Sequence, residues 1–180
     1  MKKAFLLFIL LCTPVLGITL SPSLSHGANV SFERYIPTPQ LVNEARLTHL
    51  FWDVYDIALY APKGRYAAQG PFALEITYLL SLKGADIAKV AKNEMARLGM
   101  RDADILKKWH DQMVDIFPDV EKGEQLVGVK GSDGYTYFYN NGEFIGSVQD
   151  PEFSQYFFDI WLSPNTSRPR LRRELLGVDA

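Results

Sequence analysis

The chain predicts an α+β fold: an antiparallel sheet with helices packed mainly on one face. Three observations carry this. The elements run strands, two helices, strands, helices, which is not the βαβ alternation of a doubly wound sheet. Tyr135 to Val148 reads as a tight hairpin around Asn141-Gly142, a pair suited to the positive φ angles of a type I′ turn. Two segments place apolar residues at helical spacing: Ile87, Val90, Ala91, Met95 and Leu98, then Ile105, Trp109, Met113, Ile116 and Phe117. At 180 residues and 47% hydrophobic, the chain suits one domain of ordinary size.

In chain order, the first segment is an address. Met1-Lys2-Lys3 is a short basic start of bacterial type, and Ala4 to Leu16 is an uncharged apolar run. This predicts a secretory signal peptide over residues 1–28, with cleavage after Gly17 or near Gly27. The run falls short of the roughly 20 residues of a membrane span, so no stable span is expected after cleavage. Lys2 and Lys3 are the only charges before Glu33, so removal takes the formal net charge from −2 to −4. It also removes Cys12, the single cysteine. The expected working form is a thiol-free domain over residues 29–180 in the periplasm or secreted.

Ser31 to Asn43, with Pro37 and Pro39, reads as an extended lead-in. Leu47 to Tyr60 is rich in β-formers and lacks Gly and Pro, which predicts one long strand. Its two alternating faces are both largely apolar, so it is expected in the middle of the sheet. Pro71 to Leu82 is a second strand. Asp86 to Leu98 is a helix ended by Gly99. Asp102 or Asp104 caps the next helix, which Pro118 stops. Glu124 to Lys130 alternates weakly and precedes the hairpin. Asp150-Pro151-Glu152 starts a helix with a cap, a first-turn proline and an acid against the dipole. A last helix runs from about Ser167 to Leu176, with Gly177 beyond it.

Composition narrows the chemistry. A net negative chain offers no basic excess for phosphates, so nucleic-acid binding is not expected. No His-x-x-x-His pair, Gly-x-Ser-x-Gly elbow or phosphate loop is present, and no metal or cofactor is expected. His49 is expected to pack within the strand and His110 to lie on a helix surface. Asp53 and Asp56 differ in parity and are placed on opposite faces, bonded to backbone or tyrosine, or orienting Arg46. Tyr135, Tyr137 and Tyr139 read as a packed sheet face rather than a stacking platform. Arg168, Arg170, Arg172 and Arg173 read as a solvated helix end.

Arg46 is the chief candidate. An arginine at the mouth of an apolar layer can hold a carboxylate or enolate with two parallel bonds. Tyr55 can donate a phenolic hydrogen bond to the same anion. Pairing of Arg46 with Glu44 on the surface is the alternative.

The stretch Arg46-Leu-Thr-His-Leu-Phe-Trp-Asp-Val-Tyr-Asp-Ile-Ala-Leu-Tyr60 resembles the chalcone isomerase-like family. Asp86 to Asn93, Gly142 to Phe153, Phe157 to Ser163 and Leu171 to Gly177 resemble further blocks of its bacterial secreted branch. The resemblance implies an open-faced β-sandwich and relates the chain to chalcone isomerase and to plastid fatty-acid-binding proteins. It puts Arg46 at the place of the enzyme's catalytic arginine. Tyr55 falls near a strand position that is threonine in the enzyme and tyrosine in the fatty-acid-binding relatives, where arginine and tyrosine hold the fatty-acid carboxylate. Asn93 matches an asparagine of the enzyme's helix, but the enzyme's catalytic tyrosine falls on Asp86, which speaks against chalcone cyclisation. The leading expectation is a periplasmic, non-catalytic protein that binds a small apolar carboxylate such as a fatty acid, with Arg46, Tyr55, Asn93 and Asp86 as site residues. The second is an isomerase or intramolecular lyase using Arg46 to stabilise an oxyanion. The third is a scaffold for a protein partner without a small ligand.

Overall fold

Six antiparallel strands form one meander in a computed structural model that describes residues 31–178. The predicted leader and Cys12 lie outside the described residues. The strands are β1 (Pro39–His49), β2 (Trp52–Pro62), β3 (Phe72–Tyr78), β4 (Gln125–Lys130), β5 (Thr136–Asn140) and β6 (Glu143–Val148). Each pairs with its sequence neighbours, in the order β1 to β6. Helices α1 (Gly84–Leu98) and α2 (Ala103–Ile116) interrupt the meander between β3 and β4, and α3 (Pro151–Leu162) and α4 (Pro169–Leu176) follow it. The α+β class, antiparallel sheet and helical layer therefore stand as predicted.

One face of the sheet carries the main core. Ile57, Leu59, Leu74, Ile76, Leu126 and Phe138 meet Ala88, Met95, Trp109, Met113, Phe153, Phe157 and Leu171 from the helices. Among the described residues, the other face is open apart from a small cap. There Phe32 and Ile36 cover Ala73, Val127 and Val129, with Tyr35, Tyr60, Tyr137 and Tyr139 around them. Tyr137 and Tyr139 thus belong to a packed face, as their alternation predicted.

The long strand expected over residues 47–60 is a hairpin. β1 and β2 are its arms, and Leu50-Phe51 is its tip. Leu50 takes a φ of 57°, a conformation that a bulky side chain rarely adopts. No Gly, Asn or Pro marks this turn, so the usual signal is missing. The apolar run does not signal a central strand either. Leu47 and Tyr55 face the core, while Leu50, Phe51 and Trp52 project from the tip, 78%, 96% and 73% exposed. The extended lead-in supplies the first half of β1, the end strand, and α4 packs along it, with Asn43 Nδ2 donating to Glu174 O at 2.9 Å. His49 lies exposed beside the tip rather than packed.

A bulge sits in this hairpin. Leu47 pairs with Tyr55, but Thr48 pairs with Asp53, which leaves Val54 as the extra residue. One inserted residue reverses the alternation, so Asp53 and Asp56 share a face instead of opposing each other. Both reach Arg46. Its Nε and Nη2 donate to Asp56 at 2.6 and 2.8 Å, and its Nη1 to Asp53 at 3.2 Å. The partner is this acid pair, not Glu44.

Helices α2 and α3 start where their caps predict. Asp102 accepts from Asp104 N and Ile105 N. Asp150 Oδ1 accepts from Glu152 N and Phe153 N at 3.0 and 3.3 Å, and its Oδ2 accepts from the indole of fully buried Trp109 at 3.0 Å. One carboxylate thus caps α3 and ties it to α2. Asp150→Ala is expected to cost about 2–3 kcal/mol, read from the urea midpoint, because it removes the cap and leaves the Trp109 N–H without its partner.

Candidate functional site

An apolar cavity of about 280 Å³ lies between the covered face of the sheet and helices α1 and α3. The sheet supplies Leu47, Tyr55, Ile76, Tyr78 and Leu126. Helix α1 supplies Ile87, Val90 and Ala91, and α3 supplies Phe157, Ile160 and Trp161. Its size lies just under the lower end of the range for small-molecule clefts, about 300–1,000 Å³. Val54, Leu82 and Phe117 also line it, with three polar residues among them: Glu94, Ser167 and Arg168.

Tyr55 is the polar group inside. Trp161 Nε1 donates to its hydroxyl at 2.9 Å. An indole N–H can only donate, so the phenol oxygen accepts and its own proton remains available to another acceptor. Burial pushes the Tyr55 phenol up to about 12, against the opposing pull of the Trp161 bond and the Arg168 charge, with Glu94 adding to the rise. The group is therefore a neutral donor at physiological pH. Tyr78 meets it edge-on at 6.2 Å between ring centres and is pushed up by the same burial.

Arg168 and Glu94 line the cavity differently. Glu94 is engaged by Arg97, whose Nε lies 2.7 Å from its carboxylate. Arg168 is the N-cap residue of α4 and exposed, and among the described residues no carboxylate pairs with its guanidinium. Its backbone is fixed: the Arg168 N–H donates to Thr166 Oγ1 at 3.1 Å, and Thr166 Oγ1 donates to Ile160 O at 2.6 Å. A cation so held, beside an apolar cavity with a free phenolic proton, can bind the acid group of an apolar molecule.

The predicted site residues separate. Tyr55 lines the cavity, but Arg46 does not. Arg46 faces Asp56 across the hairpin while Leu47 faces Tyr55, and neighbouring residues on a strand point to opposite faces. The joint grip expected of Arg46 and Tyr55 is therefore not formed. Arg46 stands on the open face, its side chain 52% exposed and chelated by Asp53 and Asp56. Asp86 and Asn93 are exposed on α1, and neither lines the cavity. The seven-residue spacing recurs one position later, where Ile87 and Glu94 face inward. Arg168 is the residue that sequence reasoning missed. Its signal was a cation at a helix N-terminus, where the dipole disfavours one.

A six-stranded open sheet with helices on one face, enclosing an apolar cavity, is the architecture of the chalcone isomerase fold. The profile of the chalcone isomerase-like family matches residues 44–177, and the chain belongs to that family. An uncharacterized protein of Haemophilus influenzae is 30% identical over 139 residues, 77% of this chain and 68% of its own. The crystal structure of an Arabidopsis thaliana fatty-acid binding protein shares the fold with a TM-score of 0.59 at 14% identity, over 78% of this chain and 87% of that one.

Proposed function

We propose that this protein is a non-catalytic carrier that encloses a small apolar carboxylate of fatty-acid type, exported by its leader to the periplasm. The observation that carries the reading is the apolar cavity with its two convergent polar groups, Tyr55 inside and, beside it, Arg168, which no carboxylate pairs among the described residues. The tail packs against the apolar lining, and the carboxylate pairs with the guanidinium and accepts a hydrogen bond from the phenol. The kinship with a fold whose Arabidopsis member is a fatty-acid binding protein supports the ligand class. Two features favour carriage over catalysis. The three guanidinium nitrogens of Arg46 already donate to carboxylates, and the helix positions matching the enzyme's tyrosine and asparagine, Asp86 and Asn93, face solvent.

Solvent extraction of the purified protein followed by mass spectrometry tests this. A fatty acid at close to one per chain is expected, or stoichiometric uptake of added decanoate by protein that lost its ligand. A protein that yields no acid and takes up no decanoate would sink the proposal.

A further inference from the structure

The hairpin tip is a feature that the cavity does not use. Leu50, Phe51 and Trp52 are consecutive, large and mostly exposed, and Leu50 is held in a backbone conformation unusual for its size. The other exposed apolar residues of comparable size, such as Leu41, Val114 and Phe144, stand apart from one another in the sequence. Single exposed apolar residues are ordinary, but three together mark a contact site.

The tip continues into the cavity. Val54, two residues from Trp52, lines it together with Val90, which is itself 61% exposed. On the other arm Thr48, two residues from Leu50, lines a groove with Ser167, Arg168 and Arg170 at the start of α4. Apolar tip, cavity lining and basic helix start are thus contiguous. The nearby acids have partners: Asp53 and Asp56 hold Arg46, and Glu174 holds Arg170.

We propose that Leu50, Phe51 and Trp52 insert into an anionic lipid bilayer and set the cavity against its surface. The inference goes beyond ligand binding and stands without it. Chemistry favours a bilayer over a protein. Three side chains of this size offer roughly 500 Å², short of the about 800 Å² per partner of a standard protein interface. Tryptophan beside Phe and Leu suits the boundary between headgroups and acyl chains, and arginines alongside suit anionic headgroups.

The test uses the purified protein in the form that accumulates in its cells, so any leader is common to all variants. Vesicles of phosphatidylethanolamine with phosphatidylglycerol are compared with phosphatidylcholine alone. Of the three tryptophans, Trp109 is fully buried and Trp161 is half-buried in the cavity wall, so Trp52 is the exposed one, and the emission lost in Trp52→Phe is the part that reports insertion. Expected are cosedimentation with the anionic vesicles, a blue shift, and quenching by lipids brominated on their acyl chains. Leu50→Asn with Phe51→Ser should weaken partitioning at least about tenfold, with an unchanged unfolding midpoint, because both side chains are exposed and Asn tolerates the positive φ. Wild-type protein left in the supernatant, or equal partitioning by the variant, overturns the proposal. Equal binding to phosphatidylcholine overturns its anionic part. Self-association of the wild type in the ultracentrifuge, lost in the variant and without vesicle binding, assigns the tip to a second copy of the chain instead.

Discussion

Arg168→Met is expected to weaken decanoate binding by about 10- to 100-fold, the usual worth of a hydrogen bond to a charged group. Arg46→Met should leave binding within about twofold. Isothermal titration on both variants, with decanol as a control ligand of similar chain, measures the contrast. The prediction follows from where each guanidinium stands. Arg46 is on the open face and spends its donors on Asp53 and Asp56. Arg168 lines the cavity, and its charge already acts on the Tyr55 phenol. Methionine keeps much of the length and apolar bulk, so the loss isolates the charge. Decanol, which has no carboxylate, should lose much less. The opposite ranking, with Arg46→Met the damaging change, would overturn the assignment of the anchor.

Gly84→Ala should be among the most damaging single substitutions to stability, at about 3 kcal/mol. α1 begins at Gly84, whose N–H donates to Asp119 Oδ1 at 3.0 Å. A Cβ there would lie 2.2 Å from the carbonyl oxygen of Phe117 and 2.6 Å from that of Pro118. Both obstacles are backbone, so no side-chain rotation relieves them. α1 must lift from the segment that follows α2, and Phe117 is itself part of the cavity lining. A fall of roughly 6–12 °C in Tm is expected by calorimetry. Gly70→Ala, whose new Cβ would find its nearest atom at 3.4 Å, serves as the control and should stay within about 1 kcal/mol. A Gly84→Ala protein as stable as the control would mean that this approach of helix and loop is not the constraint that the distances indicate.

Much of the fold was legible because local signals agreed. Asn141-Gly142 specifies its turn with φ angles of 47° and 87°, and Asp102 and Asp150 cap the helices that they precede. The β1–β2 hairpin was hidden because its turn is built from Leu50 and Phe51, residues that say strand. The bulge at Val54 carried that error into the site. Side-chain parity is countable only when the register is known, and one extra residue brought Asp53 and Asp56 together around Arg46. Tyr55 lines the cavity because it is apolar in body and falls on the covered face under either reading. Arg168 was obscured by its own neighbourhood, a cluster of arginines that resembles a solvated helix end. A cation placed against the helix dipole breaks a local rule, and such breaks concentrate where a site demands them.

Helix α4 has a consequence beyond the cavity. It packs along β1, the end strand of the sheet, and its first turn is where Arg168 is held. An uncovered end strand presents a row of unpaired backbone groups, a template on which chains aggregate. The element that carries the cation therefore also lies against a strand open to such pairing.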